Sequence, residues 1–175
     1  MPPTGPLGSG GFTLTGVPPT GWTNLGHTSK QNTIAFTKEG GEKETLDTYL
    51  ADAVRTIYSS SSWGVTIPAL QFDEDVLDLA FNGDFDETTG GYIVPGVTDP
   101  VEAAIFLYFK DSTGALGFWL PNTVVTLGEP PSNDPAQFSE LPLSVSIQSA
   151  DEAVIPAVDG KPGLFEIFKT GLVAP

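Results

Sequence analysis

A chain of 175 residues is long enough to bury one substantial core, and we expect a single domain. Its 20 glycines and 16 prolines, beside a single methionine, favour short strands joined by turns, so we predict a mainly β fold. The 22 acidic and 7 basic residues give a net charge of −15, which argues against binding to phosphate backbones or anionic lipids.

Two features that the sequence lacks are cysteine and a segment that could span a membrane. The sequence has no cysteine, which excludes disulfides and thiolate metal sites. Its N-terminus has no basic region followed by an apolar run, and the apolar run at 101–109 is too short to span a bilayer. We therefore expect a protein that is made in the cytoplasm and has no membrane contact.

The N-terminal region divides into an arm and the start of the folded domain. Residues 1–20 are mostly Gly, Pro, Ser and Thr, so we predict a flexible arm there and one domain over 21–175. Ile34 and Phe36 alternate with smaller or polar residues, which predicts a strand, and residues 38–43 predict a flexible turn after it. Further strands are predicted at 45–49 and 54–58.

One short α-helix is predicted at about 73–83. Asp73 has the side chain of an N-cap, and the two acidic residues that follow it suit the positive end of the helix dipole. Phe72 and Leu77 have the spacing of a hydrophobic staple, and Asn82-Gly83 predicts a left-handed exit. Such a short helix needs a sheet to dock on, through an apolar stripe at one-turn spacing: Val76, Leu77, Ala80 and Phe81.

The remaining elements are predicted as strands. Residues 63–69 alternate strictly between apolar and smaller or polar side chains, as do residues 143–148, and 124–127 and 164–168 add two more strands. The strongest hairpin spans 103–120 and is apolar on both faces. It must be buried on both faces or covered by a partner, because an exposed apolar strand would pair with other chains.

Catalytic and ligand motifs are weak. No phosphate-binding loop is present, and the lone His27 has no nucleophile elbow to serve, so it is more simply a strand-end or surface residue. Asn82, Asp84 and Asp86 start like a calcium loop, but the sixth and twelfth positions lack the required Gly and Glu. The three tryptophans suit core packing better than a sugar-binding surface. From these residues we reject nucleotide hydrolysis and expect no metal site.

The order of several motifs resembles a known family. These are residues 21–29 (GWTNLGHTS), the turn at 38–43 (KEGGEK), and the strand at 65–67 (VTI) that leads into 73–79 (DEDVLDL). From Gly21 to the C-terminus the chain resembles the major tail protein, or tail tube subunit, of bacteriophages with long non-contractile tails, especially those infecting actinobacteria. The short Gly/Pro-rich arm departs from relatives that have a longer first strand.

The resemblance implies a β-sandwich or barrel-like subunit with one flanking helix, no catalysis and no cofactor. Six such subunits would close a ring around an inner β-barrel, and stacked rings would form a hollow tube for DNA in the virion tail. Partners would be further copies and other tail proteins, namely the tape measure, tail tip and terminator proteins, with DNA passing through unbound. The resemblance also assigns the contact between stacked rings to one loop: Lys38, Glu39, Gly40, Gly41, Glu42, Lys43 and Glu44.

Two other functions remain open from the residues alone. One is a monomeric β-sandwich that binds carbohydrate, and the other is a small hydrolase that depends on His27 or a carboxylate pair. A tube subunit would assemble, and we expect the apolar hairpin to drive ring closure. Because a six-subunit ring would carry a large negative charge, we also expect acidic groups along the channel, the alternative being a neutral lining of Ser, Thr and Gln.

Overall fold

The computed structural model describes residues 21–26, 28, 32–48, 51–110, 112–131 and 139–169, with only the backbone for 44–48 and 51–58. The predicted arm at 1–20 and His27 lie outside these residues. Within them the chain forms strands and one helix, which confirms the mainly β fold with one short helix. No helix in this part of the chain is long and apolar enough to cross a membrane.

Ten strands and one helix follow one another along the described chain. In order they are β1 (Ala35–Gly40), β2 (Lys43–Thr48), β3 (Ala51–Tyr58), β4 (Ser61–Ala69), α1 (Glu74–Phe81), β5 (Asp84–Asp86), β6 (Gly91–Ile93), β7 (Val101–Lys110), β8 (Ala115–Leu127), β9 (Leu141–Ile147) and β10 (Glu166–Lys169).

The main sheet is antiparallel and is organised around β8. Its strands lie in the order β1, β4, β9 and β8, and β7 pairs with β8 on the other side. The first half of β8 pairs with β10, whereas its second half pairs with β9. The 13-residue strand β8 therefore has β7 on one side and two successive partners, β10 and β9, on the other.

A β-bulge separates the two halves of β8. Ile105 lies opposite Leu120, but Ala103 lies opposite Thr123, so Pro121 and Asn122 share a single partner position. Pro121 has no N–H to donate to the ladder, which suits it to this irregular position. The extra residue shifts the alternation, so that Leu120 and Val125 both reach the same buried cluster.

The sheet curls around the main core. Alternate side chains of β4 and β9 lie on its inner face, and Val65, Leu143 and Val145 are almost completely buried there. Phe36 of β1 stacks on Phe118 of β8 with ring centroids 5.0 Å apart, although two strands separate β1 from β8 in the sheet order. Such a contact requires strong curvature, which brings the sheet's own strands face to face.

Helix α1 covers the same core and contacts β8 and β9. Val76 and Ala80 are buried, while Leu77 and Phe81 are half-buried against the core. The carboxylate of Asp73 accepts a hydrogen bond from the Val76 N–H at 3.1 Å, which caps the first turn. Asn82 ends the helix in the left-handed conformation. Phe72, predicted to staple the helix start, is 44 % exposed.

A second, smaller cluster lies on the outer face of the sheet at its β10 end. Trp119, Ala150 and Ile155 form it, with Phe106 and Phe168 packed alongside. The hairpin of β7 and β8 is thus covered on both faces by its own chain, with Ile105 and Leu120 facing the main core. The chain itself buries part of this hairpin, while Phe109 remains 39 % exposed. That apolar surface on the hairpin drives assembly stays a prediction.

Candidate assembly surfaces

Strands β1 to β4 form one long hairpin in two segments. Gly40 pairs with Ser61 in the first segment and Lys43 with Tyr58 in the second. Between them the Gly41 N–H donates to the Ser60 carbonyl at 3.2 Å, and the Ser59 N–H donates to the Glu42 carbonyl at 3.0 Å. Two residues separate the segments on each strand, so the register continues unchanged. We call the second segment, residues 43–58, the arm hairpin.

This pairing corrects the prediction of a turn at 38–43. The chain continues through these residues, and the reversal lies further along, between Thr48 and Ala51, which pair with each other. Gly40 and Gly41 both have φ of +74°, a conformation that L side chains rarely adopt. A Cβ at Gly40 would lie 2.2 Å from the Ser60 carbonyl oxygen. The two glycines therefore form a joint between body and arm hairpin.

The predicted inter-ring residues lie on both sides of this joint. Lys38 remains on the body, with its ammonium 5.5 Å from the centre of the Trp63 ring, a cation–π contact. Glu39, Glu42 and Lys43 are exposed. Glu44 lies in β2, described by its backbone alone. Most of these residues thus lie at the root of the arm hairpin, and their role in contact between rings stays a prediction.

A compact unit follows helix α1. Strands β5 and β6 form a small hairpin, and the Tyr92 hydroxyl on β6 donates to Asp78 Oδ1 at 2.6 Å. The same hydroxyl accepts a hydrogen bond from the Gly83 N–H at 2.7 Å. Burial, and then the hydrogen bond to Asp78, raise the pKa of Tyr92 to about 12. Tyr92 thus fixes the hairpin to the end of the helix.

The segment that resembles a calcium loop uses its carboxylate locally. Asp86 Oδ2 accepts a hydrogen bond from the Thr89 hydroxyl at 2.8 Å, and Asp86 Oδ1 accepts from the Thr88 N–H at 2.9 Å. These hydrogen bonds lower the pKa of Asp86, and the bond from the Thr89 hydroxyl has the largest effect. Among the described residues, no group of three or more His, Asp or Glu could hold a metal ion.

The outer face of the sheet carries small hydroxyl side chains, a feature that the sequence reasoning missed. Thr66 of β4 lies beside Ser144 of β9, which lies beside Thr126 of β8. In the next row Gly64 lies beside Ser146. The alternation of polar and apolar residues in β4 and β9 was visible in the sequence. Only the pairing of the strands reveals that the polar positions form one continuous surface. We call this surface the hydroxyl face.

Comparison with known proteins assigns the family. The family model described as phage tail tube protein matches residues 7–157. The major tail protein Gp23 of Mycobacterium phage L5 is 35 % identical over 100 residues, which cover 56 % of this chain and 50 % of that protein. The chain thus matches about half of that relative's length. Both findings confirm the resemblance drawn from the sequence: the chain belongs to the phage tail tube protein family.

Proposed function

We propose that this tail tube protein forms hexameric rings that stack into a hollow tube, through which DNA passes into the host. The family match over residues 7–157 is the observation that carries the proposal. The protein acts as a structural component of the virion tail, without catalysis or cofactor. Its partners are copies of itself and the tape measure, tail tip and terminator proteins. Residues 21–175 act as one tube domain, and residues 1–20 as an arm.

The strand order of the main sheet supports ring closure. β1 and β7 are its outermost strands along the path through β4, β9 and β8. If β7 of one subunit lies beside β1 of the next, backbone hydrogen bonds continue the sheet across the boundary. The two surfaces differ, so the contact is head-to-tail and closes into a ring when the rotation permits. The helix and its docking residues then serve to brace this sheet.

Stacking of rings is assigned to the arm hairpin and the residues at its root. The hairpin extends beyond the six-stranded sheet as a separate two-stranded element. Glu39, Glu42 and Lys43 are exposed at its root, and charges of both signs suit a complementary neighbour. A two-stranded ribbon is marginally stable alone, so contact with the next ring would also stabilise the ribbon.

The carbohydrate-binding alternative loses its physical basis. Trp119 is buried and Trp22 packs against the same cluster. Trp63 is half-buried, with its ring 5.7 Å from that of Phe165. A sugar-binding surface needs exposed aromatic faces, and these rings are already packed.

Assembly is tested by negative-stain microscopy and light scattering on the purified protein, with and without purified tail tip proteins as nucleus. We expect rings or tubes, with six-fold symmetry in end views. A particle of only 18.4 kDa at all concentrations, with the tip proteins present, would contradict the proposal. A circular dichroism spectrum of the same sample establishes that the subunit is folded.

A further inference from the structure

We propose that Asn82-Gly83, where helix α1 meets the β5–β6 hairpin, is a latent deamidation site that Tyr92 holds unreacted in the folded protein. It is the only Asn-Gly pair in the 175-residue sequence. Because glycine has no Cβ to hinder its backbone nitrogen, Asn-Gly is the dipeptide in which that nitrogen attacks an asparagine side chain most readily. The site belongs to the single subunit and is independent of how subunits assemble.

The fold itself demands this pair of residues. Asn82 ends the helix with φ of 49° and ψ of 51°, a left-handed conformation that asparagine adopts more readily than most residues. At Gly83 an added Cβ would clash with the Ile93 carbonyl oxygen and with the Tyr92 ring. A glycine is therefore required there, and the junction carries the reactive pair for structural reasons.

The reaction that this pair can undergo has two steps and needs only water. The Gly83 nitrogen forms a bond to Cγ of Asn82 and gives up its proton to solvent, while Nδ2 leaves as ammonia and a five-membered succinimide ring remains. Water then opens the ring at either carbonyl, which yields aspartate or isoaspartate. Asn82 is exposed, so solvent already surrounds its side chain.

The folded backbone keeps the two reacting atoms apart. Ring closure needs the Gly83 nitrogen and Cβ of Asn82 on the same side of the Cα–C bond, close to eclipsed. With ψ of 51°, the L configuration at Cα places that nitrogen almost opposite Cβ instead. The reaction therefore requires nearly a half-turn about this bond, which would redirect the chain after Asn82.

Hydrogen bonds on both sides of the bond oppose that rotation. The Asn82 N–H donates to the Asp78 carbonyl at 2.8 Å, which fixes the residue before the bond. The attacking nitrogen itself is held, because the Gly83 N–H donates to the Tyr92 hydroxyl at 2.7 Å. That hydroxyl donates to Asp78 Oδ1 at 2.6 Å, and β5 pairs with β6 from Asp84 onward. Tyr92 thus restrains both the attacking atom and the strand that would have to move.

Deamidation would loosen this junction irreversibly. Either product adds a carboxylate at the C-terminal end of α1, where the helix dipole is already negative and the last turn has no basic residue. Isoaspartate also adds a carbon atom to the main chain, which shifts Asp84 from its place opposite Ile93. The site therefore converts a transient opening of the hairpin into a permanent change.

Peptide mass spectrometry tests the proposal by measuring the fraction of Asn82 that deamidates during incubation at mildly alkaline pH. The unmodified protein is followed both folded and unfolded in urea, beside the folded variant Tyr92→Phe, which removes both bonds of the hydroxyl. The matched control is Asn122→Ala, which also loses a hydrogen bond, to the Ser149 carbonyl, but takes no part in the junction.

We expect fast deamidation of Asn82 in urea and slow deamidation in the folded protein. The rate in Tyr92→Phe should exceed that of the folded unmodified protein by about tenfold or more, and the rate in Asn122→Ala should not change. Equal rates in urea and in the folded protein, or no increase in Tyr92→Phe, would overturn the inference. An equal increase in both variants would also overturn it, because general destabilisation would then account for the reaction.

Hydrogen exchange of the Gly83 amide gives a second measurement that needs no variant, should Tyr92→Phe not fold. In the unmodified protein this exchange should be slow, and it should accelerate together with deamidation of Asn82 as urea is added below the unfolding transition. Exchange of the Gly83 amide as fast as in an unfolded chain would show that Tyr92 does not hold the attacking nitrogen, and would overturn the inference.

Discussion

At the scale of single residues, Tyr92 has a larger structural role than its place in a three-residue strand suggests. Its hydroxyl is a donor to Asp78 on the helix and an acceptor from the Gly83 N–H just after the helix. The bond to Asp78 needs the protonated phenol, because a phenolate has no proton to give to a carboxylate. The contact therefore couples the β5–β6 hairpin to the protonation state of one side chain.

This coupling predicts a loss of stability at alkaline pH. The pKa of Tyr92 rises from 10.0 to about 12 on folding, so its contribution is fully present below pH 10. As pH increases through this interval the unfolded chain loses the phenolic proton first, and the free energy of unfolding should fall. Urea denaturation at a series of pH values measures the slope.

The variant Tyr92→Phe is the control for that slope. It removes the titrating group and both hydrogen bonds, so we expect lower stability at neutral pH, by about 1–3 kcal/mol, and a smaller decrease between pH 10 and 12 than in the unmodified protein. Identical pH profiles for the two proteins would show that Tyr92 does not carry the effect.

At the scale of elements, the bulge at Pro121 and Asn122 lets one strand serve both halves of the sheet. It keeps Leu120 and Val125 in the same core, and it allows the Thr123 hydroxyl to donate to the Ala103 carbonyl at 2.7 Å. Without the extra residue, the positions after it would exchange faces. Apolar side chains would then point out of the sheet, and polar ones would enter the core.

Deletion of Asn122 should therefore disrupt the fold. We expect loss of a cooperative urea transition or a severe drop in soluble yield, because Val125 would lose its buried position. The matched control is Asn122→Ala, which preserves the residue count and removes only the bond from Asn122 Nδ2 to the Ser149 carbonyl, at a cost of about 1 kcal/mol. If the deletion and the control unfold at the same urea concentration, the bulge does not set the alternation.

The predictable elements are those encoded by neighbouring residues. The capped helix after Asp73 and the hairpin of β7 and β8 follow from side chains within a turn or two of one another. The bond between Tyr92 and Asp78 and the pairing of β4 with β9 join distant parts of the chain, which local patterns do not specify. Gly40-Gly41 carried the ordinary signal of a turn. Only its partners, Ser60 and Ser61, reveal a joint within a continuous hairpin.

The two candidate surfaces differ in the same way: one is formed by neighbouring residues and was predictable, and the other joins distant strands and was not. Mixed charge between Lys38 and Glu44 was visible in the sequence, and it pointed to the root of the arm hairpin. The hydroxyl face was not visible, because its rows are formed by side chains from three strands. Net charge suggested an acidic channel, but net charge contains no information on which face carries the acids.

At the scale of the whole molecule, the arm hairpin forms a two-stranded sheet apart from the six-stranded sheet of the body, and we predict that the two parts are separable. Replacement of residues 43–58 by Asn-Gly should preserve the body, because Glu42 and Ser59 already lie opposite each other and Asn-Gly favours a tight hairpin turn. We expect a normal thermal unfolding transition by circular dichroism and no tubes by microscopy, since we propose that the arm hairpin makes the contact between stacked rings.

The control for this change is the same Asn-Gly replacement at the tip of the β5–β6 hairpin, residues 87–90, to which no stacking role is assigned. That variant should form tubes like the unmodified protein. Tubes of normal length from the variant without the arm hairpin would refute the stacking role, and loss of the folded body would show that the two parts are not separable.

The joint at Gly40-Gly41 also bears on the mechanics of a tail. Two adjacent glycines bring no side chains of their own to the junction. Three hydrogen bonds of the described residues cross it: the Gly41 and Ser59 N–H groups donate to backbone carbonyls, and the Glu42 N–H donates to Ser59 Oγ at 2.9 Å. A tube whose rings are connected through such joints would bend by small rotations of each arm hairpin while every ring keeps its shape. Curvature would be distributed over many rings, and the bore would remain round as the tail flexes.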